Sequence, residues 1–152
     1  MPVLLDTTAA ILLLRRHPPA EAEALIRVAK AEIEDGRALL PAVAVTELLV
    51  GEGRPMEAAR LTEALTRVPT VLLPVEAARL AGAMGAFLAG EGGPVPLPDL
   101  MVAATAAWLD VPLLTWDGDF ARSLRLARTS ESRHPGAEAW RKLNLHPASR
   151  NA

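Results

Sequence analysis

Four short apolar segments recur along this 152-residue chain, and longer stretches with helical character separate them. The segments occupy residues 2–6, 37–42, 70–75 and 111–115. Short apolar runs bounded by turn or capping residues are typical of buried strands. Strands that alternate with helices need crossover connections, which make neighbouring strands parallel. We therefore predict an α/β fold in three layers, α/β/α, around a mostly parallel central sheet.

Helical patterns fill most of the remaining chain. We predict helices over residues 7–16, 19–35, 42–53, 55–68, 76–90, 99–110 and 137–145. Residues 91–98, "EGGPVPLP", are a loop by composition. The stretch 121–136 is polar and ambiguous, and we expect the last residues, 146–152, to be frayed. No repeat or long linker divides the chain, so we predict one domain over residues 1–152, with an uncertain tail from about residue 129.

Charge and cysteine content exclude some classes of function. Sixteen Lys and Arg residues against 18 Asp and Glu give a net charge of −2, which is not the charge of a protein that binds nucleic acid by bulk electrostatics. The absence of cysteine excludes disulfides and thiolate metal sites and is compatible with the cytoplasm. The start of the chain lacks the features of a signal peptide, so we expect a soluble protein that is mature from residue 1.

Acidic residues follow two of the predicted strands. Asp6 comes directly after the first, and Asp117 and Asp119 come after the fourth. In parallel sheets, sites form outside the carboxyl ends of the strands. Each acid also has a purely structural interpretation: Asp6 and Asp99 as helix N-caps, and Asp117 with Asp119 as turn residues around Gly118.

Glu47 is harder to explain as a structural residue. On a helix its neighbours three and four positions away are Val43, Ala44, Val50 and Gly51, which place it on an apolar face without a cationic partner. A buried, unpaired carboxylate is costly unless a cation compensates it. Together with the strand-end acids, Glu47 therefore indicates a site for a hard divalent cation such as Mg²⁺. The three histidines have no spacing typical of zinc ligands.

Four motifs, in this order, carry a resemblance to a known family: "LLDTT", "VTELLVG", "LPDLMVAATA" and "LLTWDGDF". They resemble the motifs of PIN domains, especially the VapC ribonuclease toxins of type II toxin–antitoxin systems, and they span residues 3–120. The resemblance implies a PIN-like, Rossmann-like fold. Its acids correspond to Asp6, Glu47, Asp99 and Asp117, with Asp119 as a possible further ligand. Its hydroxyls correspond to Thr7 and Thr115; Thr8 stands where the family often has Asn or Ser.

The resemblance also implies a mechanism and partners. PIN domains hydrolyse RNA phosphodiesters with one or two Mg²⁺ or Mn²⁺ ions, which here would be held by Asp6, Asp99 and Asp117. Glu47 and Asp119 would act through water or on a second ion, and Thr7 and Thr115 would orient carboxylates or waters. VapC-like toxins form homodimers and are blocked by an antitoxin whose C-terminal segment occupies the active-site groove.

Three arginines and the tryptophans are the candidates for contacts to RNA. We expect local cations to bind the backbone, and Arg15, Arg122 and Arg125 are candidates, although exposed arginines are often only solvated. Any of the three tryptophans could stack on a base, but we expect Trp108 to pack in the core or an interface. Two alternatives remain: a non-catalytic PIN-like binding module, or a Mg²⁺-dependent aspartate-based phosphohydrolase.

Overall fold

A parallel four-stranded sheet forms the centre of the molecule, and the computed structural model describes residues 1–152. The strands are β1 (Val3–Leu5), β2 (Ala38–Pro41), β3 (Thr70–Val71) and β4 (Leu113–Leu114). They lie side by side in the order β3-β2-β1-β4. The register pairs Val3 with Ala38, Leu4 with Leu113, and Leu40 with Thr70.

Helices cover both faces of this sheet. The eight are α1 (Thr7–Leu14), α2 (Glu23–Glu34), α3 (Ala42–Gly51), α4 (Pro55–Leu65), α5 (Val75–Gly90), α6 (Leu97–Leu109), α7 (Gly118–Thr129) and α8 (Pro135–Lys142), and a 3-10 turn at Ala20–Ala22 precedes α2. Alternate strand residues face opposite sides: Leu4 packs with α5, α6 and α8, whereas Val3 and Leu5 pack with α1, α2 and α3. The predicted three-layer α/β/α fold is therefore confirmed. No helix is long and apolar enough to cross a membrane.

The third strand is shorter than predicted. It ends at Val71, whereas the apolar pattern extends to Val75. Its only neighbour, β2, ends at Pro41 opposite Val71, and the chain then enters α3. Leu72 consequently has no partner strand, and its side chain is 76% exposed.

A helix occupies most of the stretch that the sequence left ambiguous. Helix α7 begins directly after Asp117, and Phe120, Leu124 and Ala127 form its buried stripe. This spacing of four and three residues is helical, but arginines and serines between the apolar positions obscure it in the sequence.

The C-terminal tail, defined here as residues 143–152, is not frayed. The amide of Leu113 donates to the carbonyl of Asn144 at 2.8 Å, and the amide of His146 donates to the carbonyl of Leu113 at 2.8 Å. Further along, the amide of Arg150 donates to the carbonyl of Thr115 at 3.0 Å. The tail therefore runs parallel to β4 and satisfies an edge that would otherwise be open.

The close packing of α8 on α5 depends on one tryptophan and one glycine. Trp140 is fully buried, and its indole Nε1 donates to the carbonyl of Met84 at 3.2 Å. A Cβ at Gly136 would lie 1.9 Å from the carbonyl oxygen of Ala83. Of the two expectations for Trp108, packing in the core is excluded because 43% of this residue is exposed, and packing in an interface stays a prediction.

Candidate active site

Asp6 lies at the point where the strand order reverses, between β1 and β4, and it is only 3% exposed. Its Oδ1 accepts hydrogen bonds from the Ala9 amide and the Thr8 hydroxyl, both at 2.8 Å, and its Oδ2 accepts one from the Thr115 hydroxyl. Asp6 is thus the N-cap of α1, as its structural interpretation predicts, and also the centre of a buried polar cluster.

Burial has the largest effect on the pKa of Asp6. Burial raises the pKa of this carboxyl from 3.8 to about 6. The hydrogen bonds from Thr115, Ala9 and Thr8 lower the pKa, and the charge of Asp117 raises it. Donors that favour the carboxylate therefore offset only part of the cost of removing it from water.

Thr8 is a site residue that the sequence analysis did not assign. Its hydroxyl donates to Asp6 and accepts the amide of Trp116 at 2.9 Å, so it ties the start of α1 to the end of β4. Thr7, which we expected to orient carboxylates or waters, donates to the carboxylate Oε1 of Glu47 at 2.7 Å. The signal for Thr8 was available, because a hydroxyl two residues after a capping aspartate is placed to bond back to it.

The C-terminal tail holds the other hydroxyl of the cluster in place. Thr115 is buried; its amide donates to Oγ of Ser149 at 3.0 Å, and that hydroxyl donates to the carbonyl of Leu113 at 3.0 Å. The Thr115 hydroxyl accepts the amide of Asp117 at 3.0 Å while donating to Asp6. Ser149, which no sequence motif indicated, therefore supports both Thr115 and the turn that carries Asp117.

Asp99 is not a helix cap. Helix α6 begins at Leu97, two residues earlier than predicted, and its N-cap is Pro96. The Asp99 carboxylate accepts no hydrogen bond that would lower its pKa. Burial raises that pKa from 3.8 to about 7, and four further carboxylates add to the increase. These are Asp117, Glu47, Asp6 and Asp119. The charges of the other four predicted acids therefore all reach the Asp99 carboxyl. We call the surroundings of this carboxyl the shared region.

Asp117 and Asp119 have different surroundings. Asp117 caps α7 by accepting the amide of Asp119 at 2.9 Å, which is the predicted turn role. Asp119 lies 3.3 Å from Nη2 of Arg122 and is partly neutralised by that ion pair. Asp117 forms no such ion pair.

The donor set fits a hard divalent cation by its chemistry. It consists of carboxylate oxygens, and no lysine or arginine forms an ion pair with Asp6, Glu47, Asp99 or Asp117. No three of the acidic or histidine side chains are grouped closely enough to hold an ion as they stand. The carboxylates lie near enough to repel one another, and a cation would remove that repulsion.

Of the three arginines proposed to bind RNA, two lie beside one of the five acids and the third does not. All are exposed. Arg15 lines a cavity of about 300 Å³ together with Glu47, and Arg122 is paired with Asp119. Arg125 lines surface cavities along α7 that contain none of the five acids.

Neutralising Glu47 tests whether the acids repel one another. We expect Glu47→Gln to retain the fold and to raise the melting temperature of the metal-free protein, because one negative charge near Asp99 is removed and the amide can still accept from Thr7. The pKa of Asp99, followed by NMR of its carboxyl carbon, should fall towards its ordinary value. An unchanged pKa would show that Glu47 lies outside the shared region; Glu63→Gln, at an exposed position of α4 that forms no ion pair, is the matched control.

A parallel sheet with helices on both faces, and with mutually repelling carboxylates near its strand-order reversal, defines a Rossmann-like α/β protein with an acidic site. The chain belongs to the PIN-domain family, whose model matches residues 3–123. That match contains all five acids and both Thr8 and Thr115.

Solved structures of toxin–antitoxin complexes have the same fold. A chain of the DNA-bound VapBC from Salmonella typhimurium is 21% identical with a TM-score of 0.69, over 96% of this chain and 97% of that one. For VapBC2 from Rickettsia felis, bound to a promoter DNA fragment, the identity is 16% and the TM-score 0.70, over 96% and 98%. For VapBC-5 from Mycobacterium tuberculosis the values are 25% and 0.58, over 80% and 90%. No curated protein matches the sequence significantly.

Proposed function

We propose that this protein is a metal-dependent endoribonuclease and the toxin of a toxin–antitoxin pair. One observation carries the proposal: the Asp99 carboxyl, which has no protein cation beside it, experiences the charges of four other acids. A protein retains such a costly arrangement when a cation is needed there. Membership of the PIN-domain family and the fold shared with VapBC complexes support the same function.

The residues have distinct roles in this proposal. Asp6, Asp99 and Asp117 would hold one or two Mg²⁺ or Mn²⁺ ions, and a bound ion would supply an activated water and stabilise the leaving oxygen. Thr8 and Thr115 fix the carboxylate of Asp6, and Thr7 fixes that of Glu47. Asp119, which is paired with Arg122, would act through a water molecule or on a second ion.

Burial of Asp6 argues against an aspartate-based phosphohydrolase. A nucleophile must attack the substrate phosphorus directly, but only 3% of Asp6 is exposed. A role in holding a cation would require no direct attack on the phosphorus by Asp6.

An antitoxin segment has a groove to occupy. Leu14 of α1 and Leu61 of α4 line both an apolar cavity of about 180 Å³ and the adjacent cavity that reaches Glu47. A peptide with apolar side chains followed by an arginine would place its cation against Glu47 and Glu52. This arrangement supports a VapB-like antitoxin as the partner.

A homodimer and a cytoplasmic location complete the proposal. Several large apolar side chains are exposed and would be available to a dimer interface: Leu72, Val75, Leu97 and Trp108. We place the protein in the cytoplasm because its proposed RNA substrate and antitoxin are found there.

Removal of the metal is the direct test of the activity. Purified protein should cleave RNA with Mg²⁺ or Mn²⁺, lose that cleavage in EDTA, and regain it when the metal is restored. Cleavage that persists in EDTA would contradict the proposal. Absence of cleavage under every metal condition, in a protein that still binds RNA, would favour the binding module.

A further inference from the structure

A second cleft lies beside Trp116, in the β4–α7 turn, and shares no lining residue with the groove described above. It has a volume of about 710 Å³, and its walls come from the connection between α1 and α2 and from the C-terminal tail. Its lining includes Pro19, Glu21, Trp116, Pro147, Arg150 and Asn151. None of the five acids lines this cleft, so nothing assigned so far explains it.

Trp116 gives the cleft an aromatic surface next to the acids. It is the residue between Thr115 and Asp117, and its amide is bonded to Thr8, the same hydroxyl that binds Asp6. Part of its side chain packs on the core formed with α1 and α2, while the rest is accessible. The ring is therefore held in a fixed position relative to Asp6 and Asp117.

Arg150 extends this surface. Its guanidinium carbon lies 5.4 Å from the centre of the Trp116 ring, and Arg150 forms no ion pair with an acidic residue. Its amide is fixed by the carbonyl of Thr115, and the preceding residue, Ser149, is anchored under β4. The guanidinium lies over the indole ring, and both are planar groups on which flat nucleobases stack.

The rim of the cleft suits the edge of a base. Glu21 offers carboxylate oxygens that accept from base N–H groups, and Asn151 offers an amide that both donates and accepts. Pro19 and Pro147 are rigid apolar side walls. A phosphate-only ligand would find a single cation here, Arg150, with the carboxylate of Glu21 on the same rim.

We propose that the cleft between Trp116 and the C-terminal tail binds one unpaired base of a single-stranded RNA, next to the phosphodiester at the acids. This inference rests on the proposed function, since it assigns a base-binding subsite to the same substrate. It selects RNA whose bases are unstacked, because a base inside a duplex cannot enter the cleft.

Binding of short RNAs to the full-length Asp99→Asn protein, with Mg²⁺ present, tests the inference without cleavage. We expect Trp116→Ala to weaken the binding of a ten-nucleotide single-stranded RNA by roughly tenfold, the loss typical of one stacked base. Trp116→Phe, which keeps an aromatic face, should bind within about threefold of the parent. Trp108→Ala removes an exposed tryptophan outside the cleft and is the matched control.

An abasic oligonucleotide of the same length separates base stacking from phosphate binding. We expect the base-bearing RNA, and not the abasic one, to quench Trp116 fluorescence in a Trp108→Phe protein, in which the other tryptophan, Trp140, is buried. Equal quenching by both ligands, or equal binding by Trp116→Ala and Trp108→Ala, would overturn the inference. RNA cleavage by the wild-type protein, measured alongside, distinguishes the two proposals. If RNA is cleaved but binding does not depend on Trp116, the base-binding cleft alone is rejected. If binding depends on the base but no RNA is cleaved, the nuclease function alone is rejected.

Discussion

Replacing Asp99 by asparagine should reduce metal-dependent RNA cleavage by at least about 100-fold. Loss of an outer partner of a metal ligand typically costs 10- to 100-fold, and Asp99 is proposed as a ligand itself. Its carboxylate is also the one most affected by the other acids, so it gains most from a cation. Cleavage of a labelled RNA under single-turnover conditions measures the loss.

The matched control for this substitution is Asp110→Asn. Asp110 ends the same helix, is exposed, and adopts a left-handed conformation with φ of 54°, which asparagine also tolerates. We expect this variant to cleave RNA at the parent rate. Comparable losses in both variants would show that the helix, and not the Asp99 carboxylate, limits activity.

The metal-free protein should lose stability as the pH rises from about 4 to about 7. In this range Asp99, with a pKa of about 7, stays protonated in the folded state, whereas the unfolded chain ionises near its ordinary value of 3.8. The folded state therefore binds more protons, and the free energy of unfolding falls with increasing pH. Asp6, with a pKa of about 6, contributes in the same direction. Thermal melts in EDTA should show a shallower decline for Asp99→Asn than for wild type.

The largest loss of stability that we expect from a single methyl group is at Gly136. A Cβ there would lie 1.9 Å from the carbonyl oxygen of Ala83 and 2.5 Å from its carbonyl carbon. Because these contacts are with the backbone of α5, a change of rotamer cannot relieve them, and α8 must move away. Gly136→Ala should therefore cost about 3 kcal/mol, the upper end for overpacking, and lower the melting temperature by roughly 6–12 °C.

Gly82→Ala on α5 is the control for Gly136→Ala. A Cβ at Gly82 meets no atom within 4 Å, and the position lies inside a helix. Alanine should stabilise such a site by up to about 1 kcal/mol. Circular dichroism melts of the two variants should consequently shift in opposite directions. A melting temperature of Gly136→Ala equal to that of wild type would refute the close approach of the two helices.

The succession of strands and helices along the chain could be predicted from the sequence because it depends on local patterns, and the same patterns place acids directly after two of the strands. Apolar segments such as "VLL" and "PLL" bounded by acids or prolines identify strands without knowledge of the fold. Parallel strands then bring Asp6 and Asp117 to the same edge of the sheet, and no distance is needed for that conclusion. The influence of Glu47 and Asp119 on Asp99 agrees with this grouping.

Features that depend on contacts between distant segments could not be predicted. The length of β3 is set by where β2 ends, and the order of the C-terminal tail is set by the open edge of β4. Trp140, in an amphipathic segment like many others, is buried because Gly136 allows α8 to approach α5. Ser149 becomes a site residue only through Thr115, which lies 34 positions earlier.

The hydroxyl cluster has a consequence for how the chain can be shortened. It links three parts of the chain: Asp6 bonds to Thr115, 109 positions later, and Thr115 bonds to Ser149. A fragment ending at residue 123, where the family match ends, would contain all five acids of the candidate site but lack the segment that braces Thr115. Deletion or tagging at the C-terminus is therefore a perturbation of the candidate site itself, and an inactive truncation would carry no information about the five acids.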